Sequence, residues 1–108
     1  MALAKSFTLN SGATGDYIRL VTFRWDRSTR EAVALYALYV NAAAAQSGKE
    51  PLSPFIAKLR LTGDKFDQYL GNLALAQADV VAQLYVAAKA EPLACDFGAD
   101  AFADAADV

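Results

Sequence analysis

The segment Tyr17-Ile18-Arg19-Leu20-Val21-Thr22-Phe23-Arg24-Trp25 decides the fold. Six of its nine residues are β-branched or aromatic, the types that fit a pleated, packed surface. Simple alternation puts Tyr17, Arg19, Val21, Phe23 and Trp25 on one face, and Ile18, Leu20, Thr22 and Arg24 on the other. Both faces are apolar at their centres, so both are expected to meet protein rather than water. Asp26-Arg27-Ser28-Thr29 supplies the polar residues of a hairpin connection. Residues 30–40, Arg-Glu-Ala-Val-Ala-Leu-Tyr-Ala-Leu-Tyr-Val, then fork. Alanine and leucine favour helix, with Leu35, Leu38 and Tyr39 at helical spacing. Val33, Tyr36, Tyr39 and Val40 favour strand, and the preceding strand needs a nearby partner. The expectation is a strand over 31–40, with helix as the competing reading.

Working outward, residues 3–9 read as a short strand, and residues 10–16, with Gly12 and Gly15, as a turn. Asn41–Gln46, with its four successive alanines, reads as a helical turn or an extended arm. Gly48 and Pro51 end whatever precedes them. In Phe55–Leu61, Phe55, Ala57, Leu59 and Leu61 face a core, while Ile56, Lys58 and Arg60 form a wetter face. Asp64 can cap a helix over Lys65–Leu70 that Gly71-Asn72 closes. A second helix is expected over Asp79–Ala90, with Val80, Val81, Leu84, Tyr85 and Ala88 as its apolar stripe and Pro92 as its stop. The tail from Cys95 to Val108 mixes Phe97 and Phe102 with Ala-Asp steps.

The whole is one α+β domain spanning residues 1–108. It is expected to hold an antiparallel sheet of about four strands in the N-terminal two-thirds, followed by one or two short helices and a C-terminal arm. Of the 108 residues 56% are hydrophobic and 20% charged, which argues against disorder. Alanine occupies 24 positions and buries little area per residue, so the core is thinner than that composition suggests. No stretch is long and apolar enough for a membrane helix, and no secretory leader is visible.

With no histidine and one cysteine, Ser-His and Cys-His catalysis, histidine-ligated metals, internal disulfides and cysteine zinc clusters are unavailable. Asp96, Asp100, Asp104 and Asp107 would share a helix face, but no calcium-loop pattern surrounds them. A carboxylate-based hydrolase would need a deep cleft as well. No enzymatic activity, cofactor or metal is expected. Net charge is −2, but residues 1–60 carry eight Lys/Arg against four Asp/Glu, and residues 61–108 carry two against eight. A basic front and an acidic back suit head-to-tail contacts between copies, or contact with a charged neighbour. Arg19, Arg24, Arg27 and Arg30 beside Trp25 could clamp a single strand of nucleic acid. The overall charge and the lack of a recognised motif argue against it. The arginines suit carboxylates better, for instance those of a neighbouring copy's tail. Tyr17, Arg19, Phe23, Trp25, Tyr36, Tyr39, Phe97 and Phe102 are the candidate interface residues, because aromatic and arginine side chains anchor interfaces.

The opening Met1–Leu9, Gly15-Asp16-Tyr17-Ile18-Arg19-Leu20, Gly48-Lys49-Glu50-Pro51-Leu52, Ala57–Leu61 and the ending Asp96–Val108 together resemble small tail-region proteins of tailed bacteriophages. The resemblance implies a virion structural protein made in the host bacterial cytoplasm. It would assemble as a homo-oligomer, a three- or six-fold ring, against other tail, hub or fibre proteins near the tail tip, baseplate or fibre attachment. The alternative is a small phage-encoded binding module acting on a protein or on single-stranded nucleic acid.

Overall fold

The computed structural model describes residues 2–95 and 97–108. Six strands, β1 (Leu3–Thr8), β2 (Thr14–Asp26), β3 (Glu31–Tyr39), β4 (Ser53–Thr62), β5 (Leu93–Cys95) and β6 (Ala106–Asp107), form one antiparallel sheet in the order β5-β4-β3-β2-β1-β6. Four short helices join them: α1 (Ala42–Gln46), α2 (Asp64–Leu70), α3 (Asn72–Gln77) and α4 (Val80–Ala90). The α+β class holds, but the sheet has six strands where about four were expected. The expected C-terminal arm is not free: β6 pairs with Leu3 and Ala4 of β1, and Ala2 and Val108 exchange backbone hydrogen bonds of 3.0 Å.

Hairpin pairing overrides helix propensity in residues 31–39. Each of Ala32, Ala34, Tyr36 and Leu38 faces the core, and each lies between residues of β2 and β4. Small alternates with large across the strands: Ala34 sits between Phe23 and Leu59, and Ala32 between Trp25 and Leu61. That alternation lets layers interdigitate without voids. The connecting turn puts Arg30 at φ 54°, the left-handed region, which costs a non-glycine residue roughly 1 kcal/mol. Arg30 is held there by Gly63, whose N–H donates to its carbonyl at 3.1 Å, and by ion pairs of its guanidinium with Asp64 and Asp67.

The helical layer corrects two further expectations. Gly63, not Asp64, stands at the N-cap of α2, which has no side-chain cap; Asp64 and Asp67 turn to Arg30 instead. Gly71 does close α2, but Asn72 opens α3 rather than ending the helical region. Asp79 caps α4 as its position suggests, its carboxylate accepting from the Ala82 N–H at 2.8 Å.

The core lies on one face of the sheet, under α2, α4 and the return from β5 to β6. Tyr36 is at its centre, edge-on to Phe102 (centroids 5.7 Å apart) and to Tyr85 (5.9 Å). Its hydroxyl donates to the Leu84 carbonyl of α4 at 2.7 Å. Tyr36 and Phe102 are both 0% exposed. As candidate interface residues these two are corrected: they are spent inside their own chain.

Burial pushes the Tyr36 phenol pKa far up, helped by Tyr85. Burial also raises Tyr85, and with Glu91 it raises Tyr69 to about 12. These phenols must stay neutral in the folded chain but ionise near pH 10 once unfolded. Their contribution is therefore complete below about pH 10 and is lost as pH climbs through the folded values. Urea midpoints should fall steeply from about pH 10 toward 12, with phenolate absorbance from these tyrosines rising only together with unfolding.

Candidate functional site

The face of the sheet opposite the core carries none of the helices that make up the core cluster. The pairing register shows which residues occupy it. Tyr17 lies opposite Tyr39, Arg19 opposite Ala37, and Thr22 opposite Leu35; Arg24, Val33 and Arg60 form one row, and Leu35 lies beside Lys58. Val33, Leu35, Tyr17 and Tyr39 are half-buried, and the cations around them are exposed. The Tyr17 and Tyr39 rings meet edge-on at 6.4 Å. An apolar strip along β3 is thus flanked by Arg19 and Arg24 on one side and by Lys58 and Arg60 on the other. Arg60 pairs with Glu31 at 3.0 Å. Arg19, Arg24 and Lys58 make no ion pair among the described residues. Long basic side chains can lay their stems along such a strip while their charges stay in water.

A bulge divides β2. Leu20 pairs with Tyr36 and Thr22 with Leu35, so Val21 is an extra residue. An extra residue reverses the facing of everything beyond it. Ile18 and Leu20 face the core before the bulge, and Phe23 and Trp25 do so after it, opposite Ala34 and Ala32. The five residues expected on one face are therefore split. Tyr17 and Arg19 lie on the open face with Tyr39. Phe23 and Trp25 lie on the core side, near the margin.

Trp25 is largely used by its own chain. Its ring is 6.2 Å from that of Phe66, and the Arg27 guanidinium sits 5.0 Å from its centroid. Phe97, 40% exposed, packs on Phe7 at 4.8 Å, far along the sheet order from β3. Asp96 of the acidic series lies outside the described residues. Asp104 and Asp107 bind lysines of the same chain, Lys5 at 2.6 Å and Lys89 at 3.4 Å. The Lys5 ammonium, mainly through its hydrogen bond, holds the Asp104 carboxyl below the usual range. Asp104 and Asp107 are thus engaged within their own chain, and Arg30 finds its carboxylates on α2 of the same chain.

The second feature is an edge. β1 begins at Leu3, opposite Ile18, and Ala2, bonded to Val108, continues its line, so among the described residues Val21–Asp26 of β2 have a strand on the β3 side only. The Leu20 N–H is accepted by the Tyr85 hydroxyl at 2.6 Å. Beside this free edge runs a groove lined by Arg19, Leu20, Val21, Phe23, Val81 and Tyr85. Val21, Phe23 and Val81 are 42%, 37% and 38% exposed there. Val81 was expected in the α4 core stripe; α4 instead buries Leu84, Tyr85, Ala87 and Ala88 and leaves Val81 on the groove. Sequence reading also left Val33, Leu35, Lys58 and Arg60 out of the candidate set. The alternation of 55–61 did carry the signal for Lys58 and Arg60, but not their register against Leu35 and Val33.

No protein-family model, no curated protein and no solved structure matches this chain. Among the described residues no helix is long and apolar enough to cross a membrane.

Because Trp25 is packed rather than presented, Trp25→Ala should lower stability by about 2 kcal/mol, somewhat below the cost for a fully buried tryptophan. Urea denaturation checks this; an unchanged midpoint would mean that the Phe66 and Arg27 contacts contribute nothing.

Proposed function

We propose that this chain is a structural assembly subunit whose open sheet face is completed by other protein. One observation carries the reading: an apolar strip, Val33 and Leu35, lies on a face without core helices and is ringed by Arg19, Arg24, Lys58 and Arg60. Covering such a strip removes apolar surface from water, and the surrounding cations favour a partner surface rich in carboxylates. The chain supplies one itself. Its first 60 residues, which include the first three strands and most of β4, hold the excess of basic residues, and the later residues hold the acidic excess, of which Asp79 and Asp100 make no ion pair among the described residues. A basic face meeting the acidic back of the next copy is a heterologous contact, the kind that closes into rings.

Together with the resemblance to small phage tail proteins, this supports a virion structural protein. It would work as a three- or six-fold ring in the tail tip, baseplate or fibre-attachment region, in contact with other tail, hub or fibre proteins. The work is mechanical, and no catalytic step is assigned.

Light scattering after gel filtration tests the reading. The chain should run as an oligomer at micromolar concentration and shift toward monomer as salt is raised. Leu35→Glu should give a monomer with an unchanged circular dichroism spectrum. A wild-type chain that stays monomeric, or an oligomer indifferent to Leu35→Glu, overturns the use of this face.

A second reading, a module gripping single-stranded nucleic acid, is favoured by one arrangement: Tyr17 and Tyr39 pair edge-on beside the unpaired Arg19. Stacking on aromatic rings with basic side chains at the backbone is how such strands are held. Titrating a labelled oligonucleotide at two salt concentrations separates the two. Tight binding that weakens steeply with salt would replace the assembly reading; no binding leaves it standing.

A further inference from the structure

We propose that the outer face of α4 on the next copy is what covers the open sheet face. The inference rests on the assembly reading and names the partner surface within it. A sheet face is ordinarily covered by a helix, and the inward sides of α2 and α4 are already spent on the core of their own chain. The outward side of α4 remains. Leu84, Tyr85, Ala87 and Ala88 point to the sheet. Asp79, Ala82, Val86 and Ala90, recurring at steps of three and four, form the opposite stripe. Val86 stands at its middle and is 53% exposed. α3 lies alongside, tied by the Gln83 amide, which donates to the Ala74 carbonyl at 3.0 Å, and it leaves Leu73 86% exposed.

Charge picks out the same face. Of the described carboxylates beyond residue 60, Asp79 and Asp100 are the two without an ion pair. They stand at the two ends of α4. Asp79 is its N-cap, and Asp100 shares a groove with Ala90 and Pro92 at the C-terminal end. Lys89, the one cation of the helix, is turned to Asp107. The open sheet face carries the complement, since Arg19, Arg24 and Lys58 have no ion pair among the described residues. Two open faces laid on each other would oppose cations to cations, which disfavours a symmetric face-to-face contact. A helix with an uncommitted carboxylate at each end has the opposite sign where it is needed.

The lengths also match. α4 has 11 residues, about 16 Å at the rise of an α-helix. On the open face Arg19 lies opposite Ala37 and Arg24 opposite Val33, four positions of β3 apart, or roughly 13 Å. With α4 laid along β3, Val86 comes down on Val33 and Leu35. Each end carboxylate then comes within reach of an arginine, whose long stem spans the small remainder. Ala82 and Ala90, one turn to either side of Val86, are small enough for the helix to approach the strip closely. The contact joins two different surfaces, so each copy covers one neighbour and is covered by another, the heterologous geometry that closes into a ring.

Cysteine pairing tests this. Leu35→Cys and Val86→Cys, each in a Cys95→Ser background, should form a disulfide-linked dimer when mixed one to one and oxidised. Neither should link to itself, because positions 35 and 86 meet only each other. A chain carrying both should give a ladder of linked species that stops at the copy number of the ring. Two further measurements do not depend on cysteine. Val86→Arg, at an exposed position, should give a monomer with an unchanged circular dichroism spectrum. Asp79→Asn keeps the helix cap; combined with Asp100→Asn it should weaken association roughly tenfold at low salt by removing charge alone. If Leu35→Glu dissolves the oligomer while Val86→Arg leaves it intact and the mixed cysteines stay unlinked, another surface covers the strip: the assignment to α4 is wrong and the assembly reading survives. If the wild-type chain is monomeric at every concentration, both fall.

Discussion

The hydroxyl and ring of Tyr36 hold three parts of the molecule together. The residue belongs to the middle of the sheet, its hydroxyl reaches the backbone of α4, and its ring meets Phe102 from the C-terminal return. Sheet, helix and C-terminal segment are each too short or too alanine-rich to be stable alone. They meet at one fully buried side chain with a satisfied polar end. The Tyr85 hydroxyl, which accepts the Leu20 N–H, makes the reciprocal tie from helix to sheet. The third core phenol, Tyr69, donates to Glu91 at 2.9 Å, and no buried side-chain nitrogen or oxygen lacks a partner among the described residues.

That arrangement uses nearly all the covering material on one face. The helices are 5, 7, 6 and 11 residues long. Only α2 and α4 contribute large buried side chains. A second helical layer cannot be drawn from what remains, so the strip on β3 stays open. The same economy leaves β1 too short to escort β2 over its whole length. The open face and the free edge therefore have one cause: a 13-residue strand among shorter neighbours, with cover for one side only.

What was legible in the sequence follows the strength of local patterns. The strands around 3–9, 17–25 and 55–61 and the helix ending before Pro92 announced themselves by residue type and period, although Phe55, expected to face the core, is exposed and Ile56, expected on the wetter face, is buried. The strand at 31–39 was legible only through its neighbour, since Ala32, Ala34 and Ala37 favour helix by themselves and are strand here because β2 and β4 flank them. β5 and β6, three and two residues long, exist by tertiary pairing and leave no periodic trace. The bulge at Val21 was the costliest omission. No residue type marks it, yet it moved Phe23 and Trp25 to the opposite side from Tyr17 and Arg19. Simple alternation also could not tell Tyr36, fully buried, from Tyr39, half-buried on the open face, because their separation by three positions reads equally well as one helical face.

Charge shows what the open surface requires of a neighbour. Most of the acidic side chains in the second part of the chain are already paired internally: Asp64 and Asp67 with Arg30, Glu91 with Lys65, Asp104 with Lys5, and Asp107 with Lys89. Arg19, Arg24 and Lys58 are not, so the net charge of −2 conceals a face whose cations are all the more available. Burying that face under a purely apolar partner would strip water from three charges and return nothing for them, a penalty larger than the gain from a short apolar strip. A partner that supplies carboxylates at matching positions removes the penalty and leaves the apolar gain. Complementary charge therefore does the selecting at this surface, and the apolar strip and groove supply the drive.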